Sequence, residues 1–196
     1  MNNEERVQFV LKAAAESSAL RRLVGEALAV QLVDLANLIS GVIGSGGKIL
    51  ICGNGGSAAD SSHMAAEMIV RLTSQRNRES LPALALTADS SILTAAANDF
   101  GFEHVFARQI QGLARRGDIL LIISTSGNSQ NLIRAVETAR QKGMLIAALL
   151  GGNGGDIATL VDKKLIVPHT SVQRIQEEQI FVIHMLVELI ESDLFG

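Results

Sequence analysis

His63 and Glu67 stand four residues apart, the spacing that puts two side chains on one face of a helix. An imidazole and a carboxylate so placed make a titratable pair suited to proton transfer near neutral pH. Just upstream, Gly53-Asn54-Gly55-Gly56-Ser57 places three glycines in four positions. Such a turn lets the backbone approach a ligand and adopt positive φ, and a following helix would offer its N–H groups to an anion. The bland alternative is a β–α turn whose glycines only relieve strain. A second stretch, Ser124-Thr125-Ser126-Gly127-Asn128-Ser129, carries four hydroxyls in six residues after an apolar run. Hydroxyls and backbone N–H groups together hold a phosphate without lysine. Its competing reading is an ST-turn with Ser129 as N-cap, but four hydroxyls exceed what capping needs. Asn98 and Asp99 are able to bond sugar hydroxyls, and are equally ordinary loop residues. His184 lies among Val182, Ile183, Leu186 and Val187. There it is either a satisfied core histidine or the acid partner that His63 and Glu67 lack.

Positioning these groups requires strands that end at the two loops. Lys48–Cys52, Pro82–Leu86, Asp118–Ile123, Leu145–Leu150 and Lys164–Val167 read as strands, and residues 118–123 are apolar enough to be covered on both faces. Helices are expected over Ser57–Leu72, Ser90–Asn98 (capped by Asp89 or Ser90), Phe102–Leu113, Ser129–Lys142, Gly154–Val161 and Arg174–Leu194, with a polar loop over Thr73–Ser80. Alternating strands and helices predict an α/β fold, a doubly wound parallel sheet of five strands. The hydroxyl loop then sits at the carboxyl end of the sheet, where such folds bind ligands. Ahead of the sheet, residues 4–43 read as two helices. The second is apolar around much of its circumference, which predicts a helical interface between subunits.

The composition narrows the classes. A chain of 196 residues with 47% hydrophobic residues suits one domain, 1–196, of which 1–45 form the N-terminal helical extension. The net charge of −3 and scattered Lys and Arg give no footprint for nucleic acid. The single cysteine, Cys52, reads as a small buried hydrophobe and fits a reducing cytoplasm. No uninterrupted apolar run reaches the roughly 18 residues of a membrane helix, so no membrane partner is expected. Neither a Walker motif nor a dinucleotide fingerprint is present.

Taken together, Cys52–Ser57, Asn98-Asp99-Phe100-Gly101, Ser124–Ser129 and Arg174-Ile175-Gln176-Glu177 resemble the signatures of the SIS (sugar isomerase) domain family. More closely they are similar to the bacterial phosphoheptose isomerases. These convert sedoheptulose 7-phosphate to D-glycero-D-manno-heptose 7-phosphate, on the way to ADP-heptose and the lipopolysaccharide inner core. The resemblance implies a homotetramer with active sites between subunits. It implies Glu67 and His184 as the catalytic carboxylate and histidine. Substrate contacts fall on Asn54, Gly55, Gly56, Ser57, Glu67, Asn98, Asp99 and Gln176, and the phosphate on Ser124, Thr125, Ser126 and Ser129. The implied zinc ligands are His63, Glu67, Gln176 and His184. Gln176 and His184 are eight apart, roughly 12 Å of rise on one regular helix, so some ligands are expected from a neighbouring subunit. Gln179 and Gln173 replace a histidine and an acid found in several of these isomerases, and both are expected near the site. Two alternatives stay in view. One is an SIS-domain binding protein of the DnaA-binding replication-initiation type, which lacks the His/Glu/His set. The other is an isomerase of another phosphosugar.

Overall fold

The computed structural model describes residues Met1–Gly196. Helix α1 (Asn3–Gly44) leads into β1 (Ile49–Gly53), α2 (Gly56–Ile69), β2 (Ala83–Ala85) and α3 (Ser90–Phe100). A short 3-10 turn, Phe102–His104, precedes α4 (Val105–Leu113). Then come β3 (Ile119–Ser124), α5 (Gln130–Gln141), β4 (Leu145–Gly151), β5 (Lys163–Val167) and α6 (Val172–Phe195). The five strands are parallel in the order β2-β1-β3-β4-β5. Segment 154–161, expected as an α-helix, holds only a 3-10 turn, Asp156–Thr159.

Alternation along the strands divides the interior into two apolar layers. Ile49, Ile51, Ile119, Leu121 and Ile123 face the layer built with α1, α2 and α6. Leu50, Cys52, Leu120 and Ile122 face the layer built with α3, α4 and α5. Both sides of β1 and β3 are therefore buried, which is why they read as continuous apolar runs. Cys52 is fully buried, and that burial pushes its thiol far above the ordinary range, leaving an inert side chain.

The N-terminal region departs from the two-helix expectation: α1 is one helix of 42 residues. The apolar stripe changes face between Ala14 and Leu20, but no residue there stops a helix. The interior Gly25 costs only about 1 kcal/mol relative to alanine. Asn2 starts the helix through a capping box with Glu5. From Leu20 onward one face packs on α6. The count of uninterrupted apolar residues passed over one stretch. An 18-residue window of α1 reaches a mean hydropathy of 1.7, long and apolar enough by composition to cross a membrane, with 39% of the window buried inside the chain. Counting uninterrupted apolar residues missed it, because isolated polar residues barely lower a window average.

Candidate active site

At the carboxyl end of β1 the chain turns through Asn54 and Gly55 into α2. Gly55 has φ 56° and ψ −121°, a conformation that excludes an L side chain. Gly53 has no room for one either, since a Cβ would meet the Ser57 carbonyl at 2.6 Å. At Gly56 a Cβ would collide with the Gln176 amide. The glycines thus admit a close approach between this turn and α6. Ser57 is buried, and its carbonyl accepts from the Ser61 hydroxyl.

Helices α2 and α6 lie on the same face of the sheet, side by side and parallel. Gly56 meets Gln176 at the top, and His63 meets His184 two turns down. The Leu72 N–H donates to Glu191 Oε1 (3.4 Å) below that. This register assembles the candidate centre. His63 Nε2 stands 2.9 Å from Glu67 Oε1 and 3.2 Å from His184 Nε2, and His184 Nε2 is 3.5 Å from the same Glu67 oxygen. Glu67 Oε2 is buried without a hydrogen-bond partner. The three donor atoms lie within 4.8 Å of one another. Their separations are close to the roughly 3.4 Å edge of a tetrahedron built on the ~2.1 Å bonds zinc makes to imidazole and carboxylate. The donor set therefore fits zinc. His184 is not a core histidine, because 39% of its side chain is exposed.

Gln176 lies about two turns N-terminal of His184 within the regular α6, with its amide against Gly56.

The hydroxyl loop follows β3. Ser124 Oγ accepts from the Gly127 N–H at 3.0 Å, so this serine closes an ST-turn. Ser129 occupies the N-cap position of α5, but its side chain makes no capping bond. Gly127 has φ 67°, and a Cβ there would collide with the Gly154 carbonyl, so the loop after β4 buttresses this one. Thr125 and Ser126 open onto a cavity of about 690 Å³, shared with Gly151–Asn153, Pro168–Thr170, Val172 and Ile175.

Sequence reasoning missed three features. Asn131, buried in the first turn of α5, exchanges two hydrogen bonds with Asn54 (2.9 and 2.8 Å) and so ties the glycine turn to the hydroxyl loop. An asparagine inside a helix is a weak signal of such a role. His169 lines the cavity, with Nδ1 accepting from the Ser171 N–H at 3.0 Å and Nε2 3.4 Å from Glu16. Arg78, in the loop expected to be merely polar, is buried beneath the cluster.

Some expected groups lie elsewhere in the chain. Asn98 donates to Asp99 (2.8 Å) at the exposed end of α3, and Asp99 lines a separate groove with Phe100 and Arg108. Neither lines the cavity at the hydroxyl loop. Gln179 is fully buried and donates to the Leu149 carbonyl, so it faces the sheet rather than the site. Gln173 is exposed on the first turn of α6.

A five-stranded parallel sheet with a hydroxyl-rich loop at its switch point and a His/Glu/His centre beside it defines a doubly wound α/β protein with a ligand site at the carboxyl ends of its strands. The family model "SIS domain" matches residues 14–151. The phosphoheptose isomerase of Pelodictyon phaeoclathratiforme is 49% identical over 188 residues, 95% of this chain and 89% of that protein. That of Chlorobaculum parvum is 47% identical over 94% of this chain and 89% of its own. Among solved structures, the phosphoheptose isomerase of Neisseria gonorrhoeae superimposes with a TM-score of 0.89 at 44% identity, covering 97% of this chain and 100% of that one. That of Francisella tularensis gives 0.87 at 32% identity, covering 98% and 100%. The chain belongs to the SIS-domain family and, within it, to the phosphoheptose isomerases.

Proposed function

We propose that this chain interconverts sedoheptulose 7-phosphate and D-glycero-D-manno-heptose 7-phosphate, supplying heptose for ADP-heptose and lipopolysaccharide core synthesis. The convergence of His63, Glu67 and His184 beside a hydroxyl-rich loop carries the reading. Aldose–ketose exchange moves a proton between C1 and C2 through an enediol. Glu67 takes the carbon-bound proton and returns it to the neighbouring carbon, and His184 exchanges a proton with the carbonyl oxygen. Ser124, Thr125, Ser126 and Ser129, with the N–H groups opening α5, hold the phosphate. Asn54, Gly55, Gly56 and Ser57, with Gln176 above them, bind the sugar chain. His63, Glu67 and His184 would hold the zinc, which when bound polarises the carbonyl and stabilises negative charge on its oxygen.

Two observations support an oligomer with shared sites. The apolar face of α1 is open: Val30 is 72% exposed, and Phe9, Val10 and Leu11 are exposed ahead of it. Asn98 and Asp99 lie exposed and away from the cavity. In a homotetramer they complete the substrate site of a neighbouring subunit, while Gln176 serves substrate or metal beside the glycine turn of its own chain. The retained His/Glu/His set speaks against a pure binding module. Turnover of sedoheptulose 7-phosphate, assayed with and without added zinc, tests the reading; no turnover under either condition defeats it.

A further inference from the structure

We propose that Arg78 and Glu191 form a buried clamp that sets the register of α2 against α6, making Arg78 a positioning residue for the His63/Glu67/His184 centre. The proposal rests on that centre being the site of proton transfer. The cluster exists only because two separate helices lie in one particular register. Gly56 against Gln176 marks it above, but that contact is between a glycine and a flexible amide. Below, the contact is ionic and dry. Arg78 Nε donates to Glu191 Oε1 at 2.7 Å, with the two side chains 1% and 5% exposed.

The rest of the guanidinium reaches the last turn of α2. Its NH2 donates to the Glu67 carbonyl (2.7 Å) and its NH1 to the carbonyls of Met68 (2.8 Å) and Glu79 (2.9 Å). These include carbonyls that a helix C-terminus leaves unpaired, and a cation suits that end of the dipole. No basic residue of α2 itself serves there. Arg78 therefore holds the backbone of the residue whose carboxylate forms the centre, and through Glu191 fixes it to the helix that carries His184. A planar fork with five donors can bridge these acceptors, whereas the single ammonium of lysine cannot span them. A displacement of an ångström along either helix would separate Glu67 Oε1 from His184 Nε2.

Removing one partner strands a buried charge, so single truncations confound stability with geometry. The informative variant is Arg78→Met combined with Glu191→Leu, because buried ion pairs often yield to apolar residues of similar volume without loss of stability. Melting temperature, kcat and KM for sedoheptulose 7-phosphate, and Co²⁺ affinity read from the visible spectrum of the metal are measured on this variant and on wild type. The expectation is a folded protein whose KM stays within about threefold while kcat and Co²⁺ affinity each fall about 10–100-fold, the scale seen when groups supporting a metal site are lost. A folded double variant with wild-type kcat and Co²⁺ affinity overturns the clamp. If the double variant does not fold, Arg78→Lys decides: a kcat loss of about fivefold or more at unchanged KM supports the proposal, and unchanged kcat overturns it. Wild-type protein without turnover would instead defeat the isomerase reading, and the clamp would then stand or fall on Co²⁺ affinity alone.

Discussion

Glu67 concentrates the chemistry in one side chain: one oxygen faces both histidines and the other is buried without a partner. Glu67→Gln keeps the shape and removes the proposed base. It is expected to lower kcat by about 10²–10⁴-fold while leaving KM within a few-fold, measured by steady-state isomerase assay. Ser129 offers a sharper separation of roles. Capping serines contribute about 0.5–2 kcal/mol, but this one makes no capping bond. Ser129→Ala is therefore expected to raise KM several-fold with the melting temperature unchanged; a clear drop in melting temperature at constant KM would assign Ser129 to the helix instead. The pair His63 and Glu67 was legible from spacing alone. Asn131 was not, because its role depends on Asn54, which lies 77 residues away in sequence.

Among the elements, α2 and α6 decide the site, and both come close to their sequence-derived bounds. Helix α6 begins at Val172 rather than Arg174, which puts Gln176 inside it, beside Gly56. The glycine turn is held by contact rather than by flexibility. Gly56→Ala would drive a methyl into the Gln176 amide, and a several-fold rise in KM with normal far-UV circular dichroism is the expected result. The other end of the sheet has its own anchor. Burial pushes the Asp118 carboxyl up, but the Lys48 ammonium (2.6 Å) and the backbone N–H groups of Lys48 and Arg115 outweigh it and hold the carboxyl below its ordinary value. A lowered folded-state value stabilises the fold above the unfolded carboxylate range near pH 4, and this contribution disappears as pH falls through the folded value. Asp118→Asn is expected to lower stability at pH 7 by about 1–3 kcal/mol and to flatten the acid limb of stability below the unfolded carboxylate range near pH 4, checked by denaturant melts in acid.

At the scale of the molecule, α1 is the feature a lone chain explains least. Its first two turns lie open to solvent and its later apolar face is only part covered. A helix apolar around its circumference is stable in water only when more than one face is buried. If the proposed homotetramer forms through this face, Val30→Glu is expected to yield smaller species than wild type in sedimentation velocity and lower activity, since Asn98 and Asp99 are proposed to serve a neighbouring site. Local information in the sequence determined a great deal here. The short apolar runs alternating with helical patterns gave the five parallel strands, the glycine and hydroxyl clusters marked the two loops at their carboxyl ends, and the spacing of His63 and Glu67 marked the helix of the candidate centre. These features depend on residues within a few positions of one another. Tertiary structure alone decided that α1 is unbroken, that Gln179 faces the sheet, and that His184 meets His63 across 121 residues. It also turned Arg78, one charge in a polar loop, into a buried tie between two helices. Each of those outcomes depends on which elements share a face of the sheet and in what register, and that is settled by packing over the whole chain rather than by any local pattern.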